Sequence, residues 1–293
     1  MAILLDGNKT AEKIELNMKT QIEAFEETTG IKPGLAGIVV GDNPASASYV
    51  RRKRRRATAI GMFFEQLKLP ESTSMAEIKE RIDALNRDER VHGILVQLPL
   101  PDHLDPHDVI DLIAIEKDVD GLTTLNQGLL YRGKPCLMPC TPKGILRLLD
   151  EYDITTEGKN VVVVGRSELV GRPLATVLAG RSRNATVTVV HTRTRDVRQI
   201  TKQADIVAIA AGKAQMLDAS HFKQDVVIVD AGMNAIPSDK TKSGKRLVGD
   251  VDFESASKVA SFITPVPGGV GPMTVCMLLE NTFEAARLAS GKA

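Results

Sequence analysis

Hydrophobic positions fall into a repeating alternation of short apolar runs and longer amphipathic stretches. Residues 9–28 place Ile14, Met18, Ile22 and Phe25 at helical spacing. LAGIVVG (35–41) is a continuous apolar run of the kind that forms a buried strand. The basic stretch 45–61 is a predicted helix ended by Gly61, followed by a strand over 62–69. In 75–88, Ile78, Ile82 and Leu85 share one helical face, and HGILVQLPL (92–100) is the next buried strand. Strands separated by helix-length intervals predict βαβ units and a mostly parallel sheet.

The rhythm breaks between DVDG (118–121) and PCTP (139–142), where Gly, Pro and Asn accumulate, and a domain junction is expected there. A second block follows, with strands at 160–165, 186–190, 205–212 and 225–232. A strand running into a Pro/Gly loop occupies 261–274, and a helix covers 275–289. The expected fold class is therefore α/β, with two α/β domains flanking a cleft, the second a Rossmann-type dinucleotide-binding domain. The expected division is 1–138 plus 272–293 for the first and 139–271 for the second.

Of 293 residues, 43% are hydrophobic, and 38 Lys+Arg stand against 37 Asp+Glu. Such a chain buries a core, and its balanced charge gives no basis for a broad nucleic-acid surface. Three cysteines, Cys136, Cys140 and Cys276, show neither metal-ligand spacing nor an even count, so reduced thiols and no metal site are expected. Asp6 and Lys9 interrupt the N-terminus too early for a secretory leader. No apolar run approaches the roughly 20 residues that cross a bilayer. A cytoplasmic protein with no membrane partner is expected.

Two segments carry chemistry. NVVVVGRSELVGRP (160–173) reads as strand, glycine turn and helix, with Gly165 closing the strand, Gly171 allowing close backbone approach and Pro173 in the first helical turn. Such a turn aims free N–H groups at a phosphate. Ser167 replaces the middle glycine of the usual dinucleotide fingerprint, so by itself the segment also fits a structural turn. The following strand ends in His191, Thr192, Arg193, Thr194 and Arg195 rather than in the acidic residue that holds an unphosphorylated ribose. Together with Arg166, this favours NADP over NAD, although Arg193 and Arg195 individually also fit solvated loop positions.

The helix of 45–61 sets Tyr49 and Lys53 one turn apart, with Lys53 amid Arg51, Arg52, Arg54, Arg55 and Arg56. Like charges and partial burial lower a lysine's pKa in general, a condition for proton shuttling. A solvated basic face and a patch for an anionic substrate tail remain open readings of the same residues.

Taken together, VGDNPASASYVRRK (40–53), GILVQLPLP (93–101), KDVDG (117–121), PCTPKGI (139–145), GRSELVGRP (165–173), AGMN (231–234), GDV (249–251) and TPVPGGVGPMT (264–274) resemble the tetrahydrofolate dehydrogenase/cyclohydrolase family, in that family's order and over essentially the whole chain. The resemblance implies NADP-dependent oxidation of 5,10-methylenetetrahydrofolate and hydrolysis of the product to 10-formyltetrahydrofolate, in one-carbon metabolism that feeds purine biosynthesis. It also implies a homodimer. By resemblance, Lys53 is the catalytic lysine, Tyr49 its companion, Gln97 the assisting glutamine and Asp120 the pterin anchor. Leu98, Pro267, Gly268 and Gly269 line the folate site, while Gly165, Arg166, Ser167, Gly171, Thr192 and Met233 contact the cofactor. Arg56 departs from the family's small residue, which leaves open a monofunctional dehydrogenase with a weak hydrolytic step.

Overall fold

The computed structural model describes residues 2–239, 241 and 244–291. Along the chain the first elements are β1 (Ile3–Leu4), α1 (Gly7–Thr29), β2 (Gly34–Val40), α2 (Pro44–Ala59), β3 (Phe63–Leu69), α3 (Met75–Arg87), β4 (Gly93–Val96), α4 (Pro106–Ile110) and α5 (Thr124–Tyr131). Then come α6 (Cys140–Glu151), β5 (Asn160–Val164), α7 (Gly171–Ala179), β6 (Thr186–Val190), α8 (Val197–Thr201), β7 (Ile206–Ile209) and β8 (Val226–Asp230). The last are β9 (Asn234–Pro237), β10 (Lys245–Val248), α9 (Phe253–Ala256), β11 (Ala260–Ile263) and α10 (Val270–Ala289).

The chain forms two compact units, Met1–Glu12 with Thr141–Thr274, and Lys13–Cys140 with Val275–Ala293. The N-terminal segment, expected in the first domain, groups with the second, because β1 adds to its sheet beside β11, with Ile3 opposite Phe262. A two-residue strand carries no readable period, and its partner lies too far along the chain for a local pattern to reveal.

The unit Lys13–Cys140 with Val275–Ala293 is built on a parallel sheet in the order β3-β2-β4. Its core joins Ala36, Ile38, Val40, Ile94 and Val96 of the sheet to Ile78, Ile82 and Leu85 of α3. The spacing of those three residues puts them on one face, and fully burying side chains of this size contributes about 1.5–3 kcal/mol each. Ser74 and Glu77 start α3 with a capping box. β4 is shorter than the apolar run 92–100. Gln97 N still donates to Ile38 O, after which Pro99 and Pro101 have no N–H to extend the ladder. The expected junction also contains α5 and the start of α6, which its high Gly and Pro content obscured.

The other unit holds a six-stranded sheet in the order β1-β11-β8-β7-β5-β6, every pairing parallel. Runs such as VVVV (161–164) are buried on both faces, as a helix-covered parallel sheet requires. From β5 the chain goes to β6 on one side and then crosses to β7 on the other. The carboxyl ends of β5 and β7 therefore form the topological switch point at which such sheets bind ligands. The antiparallel pair β9 and β10 follows β8.

Candidate active site

On α2 the inward-facing stripe runs Ser46, Val50, Lys53, Ala57, Ile60, the spacing of one helical face continued into the following turn. Lys53 thus occupies a position that a soluble helix normally gives to an apolar residue. It is half-buried, whereas Arg51, Arg52, Arg54 and Arg55 are exposed. Its Nζ donates to Gln97 Oε1 at 3.2 Å, while Gln97 Nε2 donates to Leu98 O at 2.8 Å. The second bond fixes which end of the amide faces the lysine. Helix and strand end thereby bring together the lysine and glutamine that the sequence singled out. Tyr49 lies one turn earlier, 38% exposed. Arg56, the departure from the family pattern, forms an ion pair with Glu15 of α1, both side chains largely buried. Its charge is accommodated by that pair, so the substitution gives no sign of disturbing Lys53.

Ser46 was not singled out from the sequence. Its hydroxyl is buried and has no hydrogen-bond partner among the described residues, a condition that buried polar groups rarely tolerate without a ligand or water.

KDVDG divides into structural and available residues. Lys117 Nζ donates to the carbonyls of Leu85 and Asp88 at 3.0 and 2.8 Å, closing the carboxyl end of α3, and burial pushes its pKa down. Asp118, 1% exposed, accepts from Leu122 N, Thr123 N, Thr123 Oγ1 and Asn126 Nδ2 at 2.7–3.1 Å. Asn281 of α10 donates to Val119 O and Met138 O at 2.8 and 2.9 Å. Asp120 is half-exposed, and no described residue gives it a hydrogen bond or ion pair. It is the one carboxylate of the motif left to face a ligand. Sequence reasoning missed Asp118, Asn126 and Asn281, because their partners are set by the tertiary fold.

The loop before α10 carries Pro267, Gly268 and Gly269. Pro267 is exposed, Gly268 half-buried and Gly269 buried. A Cβ on Gly269 would meet Pro265 O and Thr264 Cβ at 2.7 Å, and Gly7 at the start of α1 packs on the Gly269 carbonyl. Internal packing therefore already accounts for Gly269, in addition to any ligand.

In the other unit, Gly165 adopts φ +122°, and a Cβ there would overlap Ala210 O. Gly171 is bare for a similar reason, since a Cβ would overlap Gly165 O. No side chain caps α7 at Val170; Ser167 reaches its first turn, with Oγ accepting from Val170 N and Gly171 N at 3.3 and 3.4 Å and its carbonyl accepting from Arg172 N at 3.0 Å. The turn after β6 is held by Thr194 Oγ1, which accepts from His191 N at 3.0 Å, and by His191 Nδ1, which accepts from Arg193 N at 3.2 Å. The side chains of Arg166, Thr192, Arg193 and Arg195 are exposed and have no partner among the described residues. Met233, 45% exposed, follows β8. A bare glycine turn at a helix start, at a switch point flanked by unpaired arginines, fits a phosphorylated dinucleotide.

Residues 5–120 match the catalytic domain of tetrahydrofolate dehydrogenase/cyclohydrolase, and residues 139–290 match its NAD(P)-binding domain. The chain belongs to this family. It is 49% identical over 286 residues to the bifunctional protein FolD of Moorella thermoacetica, covering 98% of this chain and 99% of that one. The solved bifunctional methylenetetrahydrofolate dehydrogenase/cyclohydrolase of Campylobacter jejuni superposes with a TM-score of 0.93 at 44% identity, covering 99% and 100% of the two chains. The Trypanosoma brucei enzyme, solved with NADP cofactor and an inhibitor, superposes at 0.94 with 38% identity, covering 98% of each chain. Among the described residues, no helix of this family member is long and apolar enough to cross a membrane.

Proposed function

We propose that this chain oxidises 5,10-methylenetetrahydrofolate to 5,10-methenyltetrahydrofolate with NADP and hydrolyses the product to 10-formyltetrahydrofolate. The observation that carries the hydrolytic half is the Lys53–Gln97 pair at 3.2 Å on the buried stripe of α2. Membership of the family across both domains supports the redox half. NADP supplies a hydride acceptor for the methylene carbon, a step that needs alignment rather than a protein acid. Gly165, Ser167 and Gly171 offer backbone and hydroxyl groups to its pyrophosphate. Arg166 and Thr192 stand ready for its 2′-phosphate, and Met233 for an apolar face.

Asp120 accepts from the amino-pyrimidine edge of the pterin, and Tyr49 packs on the substrate. Leu98 lines the site beside Gln97, and the family resemblance assigns Pro267, Gly268 and Gly269 to substrate contact. Water adds through its oxygen to the carbon between the two folate nitrogens, and the Lys53 amine takes a water proton. The same lysine returns a proton to one ring nitrogen as its bond to that carbon breaks. The adduct's hydroxyl proton is lost as the formyl carbonyl forms, so the step releases one proton overall. Gln97 keeps the amine directed, because its own amide is anchored to Leu98 O. Arg51, Arg52, Arg54 and Arg55, exposed and without an ion pair among the described residues, suit the anionic glutamate tail of the substrate. Equal affinity for mono- and polyglutamylated folate would remove that role.

The active form is proposed to be a cytoplasmic homodimer serving purine biosynthesis, which sedimentation and fractionation test. The central experiment is Lys53→Met, with both steps followed by absorbance. Hydrolysis is expected to vanish while NADP binding persists, and full hydrolysis by the variant would remove Lys53 from its role. In parallel, Asp120→Ala is expected to raise the folate KM.

A further inference from the structure

Two aspartates in the dinucleotide unit, Asp230 immediately before the AGMN segment and Asp250 within GDV, are buried, in no ion pair among the described residues, and without any role in the chemistry above. Asp250 is 0% exposed and Asp230 3%. Asp250 Oδ2 accepts from Ala211 N and Gly212 N at 2.6 and 2.9 Å, while Oδ1 accepts from Lys213 N and Asn234 Nδ2 at 2.9 and 2.8 Å. Asp230 Oδ1 accepts from Gly232 N and Asp250 N at 2.8 and 3.1 Å, and its Oδ2 from Val251 N at 2.8 Å. Every partner is a donor, and only a carboxylate offers acceptors on both oxygens. The fit is close on both sides. A Cβ on Gly249 would overlap Asp230 Oδ2, and one on Gly232 would overlap Asp250 Oδ1.

Burying two carboxylates without a cation is a poor way to gain stability. What the arrangement achieves is geometric. Asp250 ties down the loop that leaves β7, residues 211–213, and the corner that leaves β8, where Met233 precedes Asn234. The β7 exit loop is one lip of the switch point, and Gly165 rests on the carbonyl of Ala210, part of the same peptide group as the Ala211 N–H that Asp250 holds, with no room for a Cβ. The turn bearing Arg166, Ser167 and Gly171 is therefore seated on backbone that Asp250 fixes, and Asp230 fixes the backbone N–H of Asp250 in turn.

We propose that Asp250, seated by Asp230, is a positioning residue for the dinucleotide, acting through the 211–213 loop and Asn234 rather than by contact. The proposal rests on the reading of the Gly165–Gly171 turn as the dinucleotide site. Asp250→Asn turns one acceptor oxygen into an NH2 group facing backbone donors. Asn234→Ala removes a single donor and leaves the carboxylate in place, so it stays informative if the first variant folds poorly. NADP binding is measured by calorimetry, KM for NADP and for methylenetetrahydrofolate by initial rates, and folding by thermal unfolding. Expected is a rise of at least tenfold in NADP Kd and KM for Asp250→Asn and of about threefold or more for Asn234→Ala, with the methylenetetrahydrofolate KM changed less than threefold. A folded Asp250→Asn with NADP affinity within twofold of the parent overturns the proposal. So does an unchanged Asn234→Ala when Asp250→Asn does not fold, or an equal rise in both KM values. Failure of the unmodified protein to bind NADP would instead refute the reading of the turn.

Discussion

Replacing Asp118 by alanine isolates a group that the chemistry never touches yet the site depends on. The change strands four donors: Leu122 N, Thr123 N, Thr123 Oγ1 and Asn126 Nδ2. Two have a way out. The Thr123 hydroxyl can rotate, and Asn126 Nδ2 keeps its bond to Ile115 O at 3.2 Å. The two backbone N–H groups do not, and each stranded buried donor costs about 1–3 kcal/mol. Releasing the carboxylate from its buried setting offsets part of this, and a net loss of about 3 kcal/mol is expected. Urea unfolding followed by far-ultraviolet circular dichroism should show a lower midpoint at unchanged slope. Because Asp120 lies two residues on, the folate KM should rise while NADP affinity holds. A loss below about 1 kcal/mol would refute the argument that those bonds hold the KDVDG turn.

Gly121→Ala should be more damaging than its size implies. The residue sits at φ +67°, and a Cβ would meet Leu137 O at 2.5 Å and Pro139 N at 2.6 Å, backbone atoms with nowhere to go. A loss above about 2 kcal/mol in the same unfolding assay is expected, and a neutral result would contradict the packing there. Asp230 gives a pH dependence. Burial, only partly opposed by its backbone hydrogen bonds, pushes its carboxyl from 3.8 up to about 6. The folded state therefore binds the proton more tightly than the unfolded state does, so this contribution is fully present below pH 3.8 and is lost as pH rises through about 6. Relative to Asp230→Asn, which cannot titrate, the parent should lose about 3 kcal/mol of stability across that window, and a parallel pair of stability curves would disprove it. Thr192→Asp should place a carboxylate where the 2′-phosphate is proposed to lie. The NADP Kd should rise at least tenfold while the NAD Kd stays level or falls, and an unaltered ratio would remove the turn after β6 from cofactor choice.

Periodicity alone reached the α/β class, the parallel sheets and the limits of α3, because burying one face of a helix or both faces of a strand leaves a readable repeat. Resemblance to the family singled out Lys53, Gln97 and Asp120, since from spacing alone each also fitted a structural role. A lysine on the inward stripe Ser46, Val50, Lys53, Ala57, Ile60 is a signal that the chain carried in plain view, although only the helix phase makes it legible.

The three-dimensional structure decided the rest. The pairing of β1 with β11 joins opposite ends of the chain and has no local signature. Arg56, an irregularity in the motif, became an ordinary ion pair once Glu15 was found beside it. In KDVDG and GDV the sequence offers aspartates of identical chemistry. Which of them is spent on backbone N–H groups, as Asp118 and Asp250 are, and which stays available, as Asp120 does, depends on where distant segments present their donors. A linear sequence specifies residue types and their spacing, but the hydrogen-bond partners of a buried carboxylate exist only after the chain has closed around it.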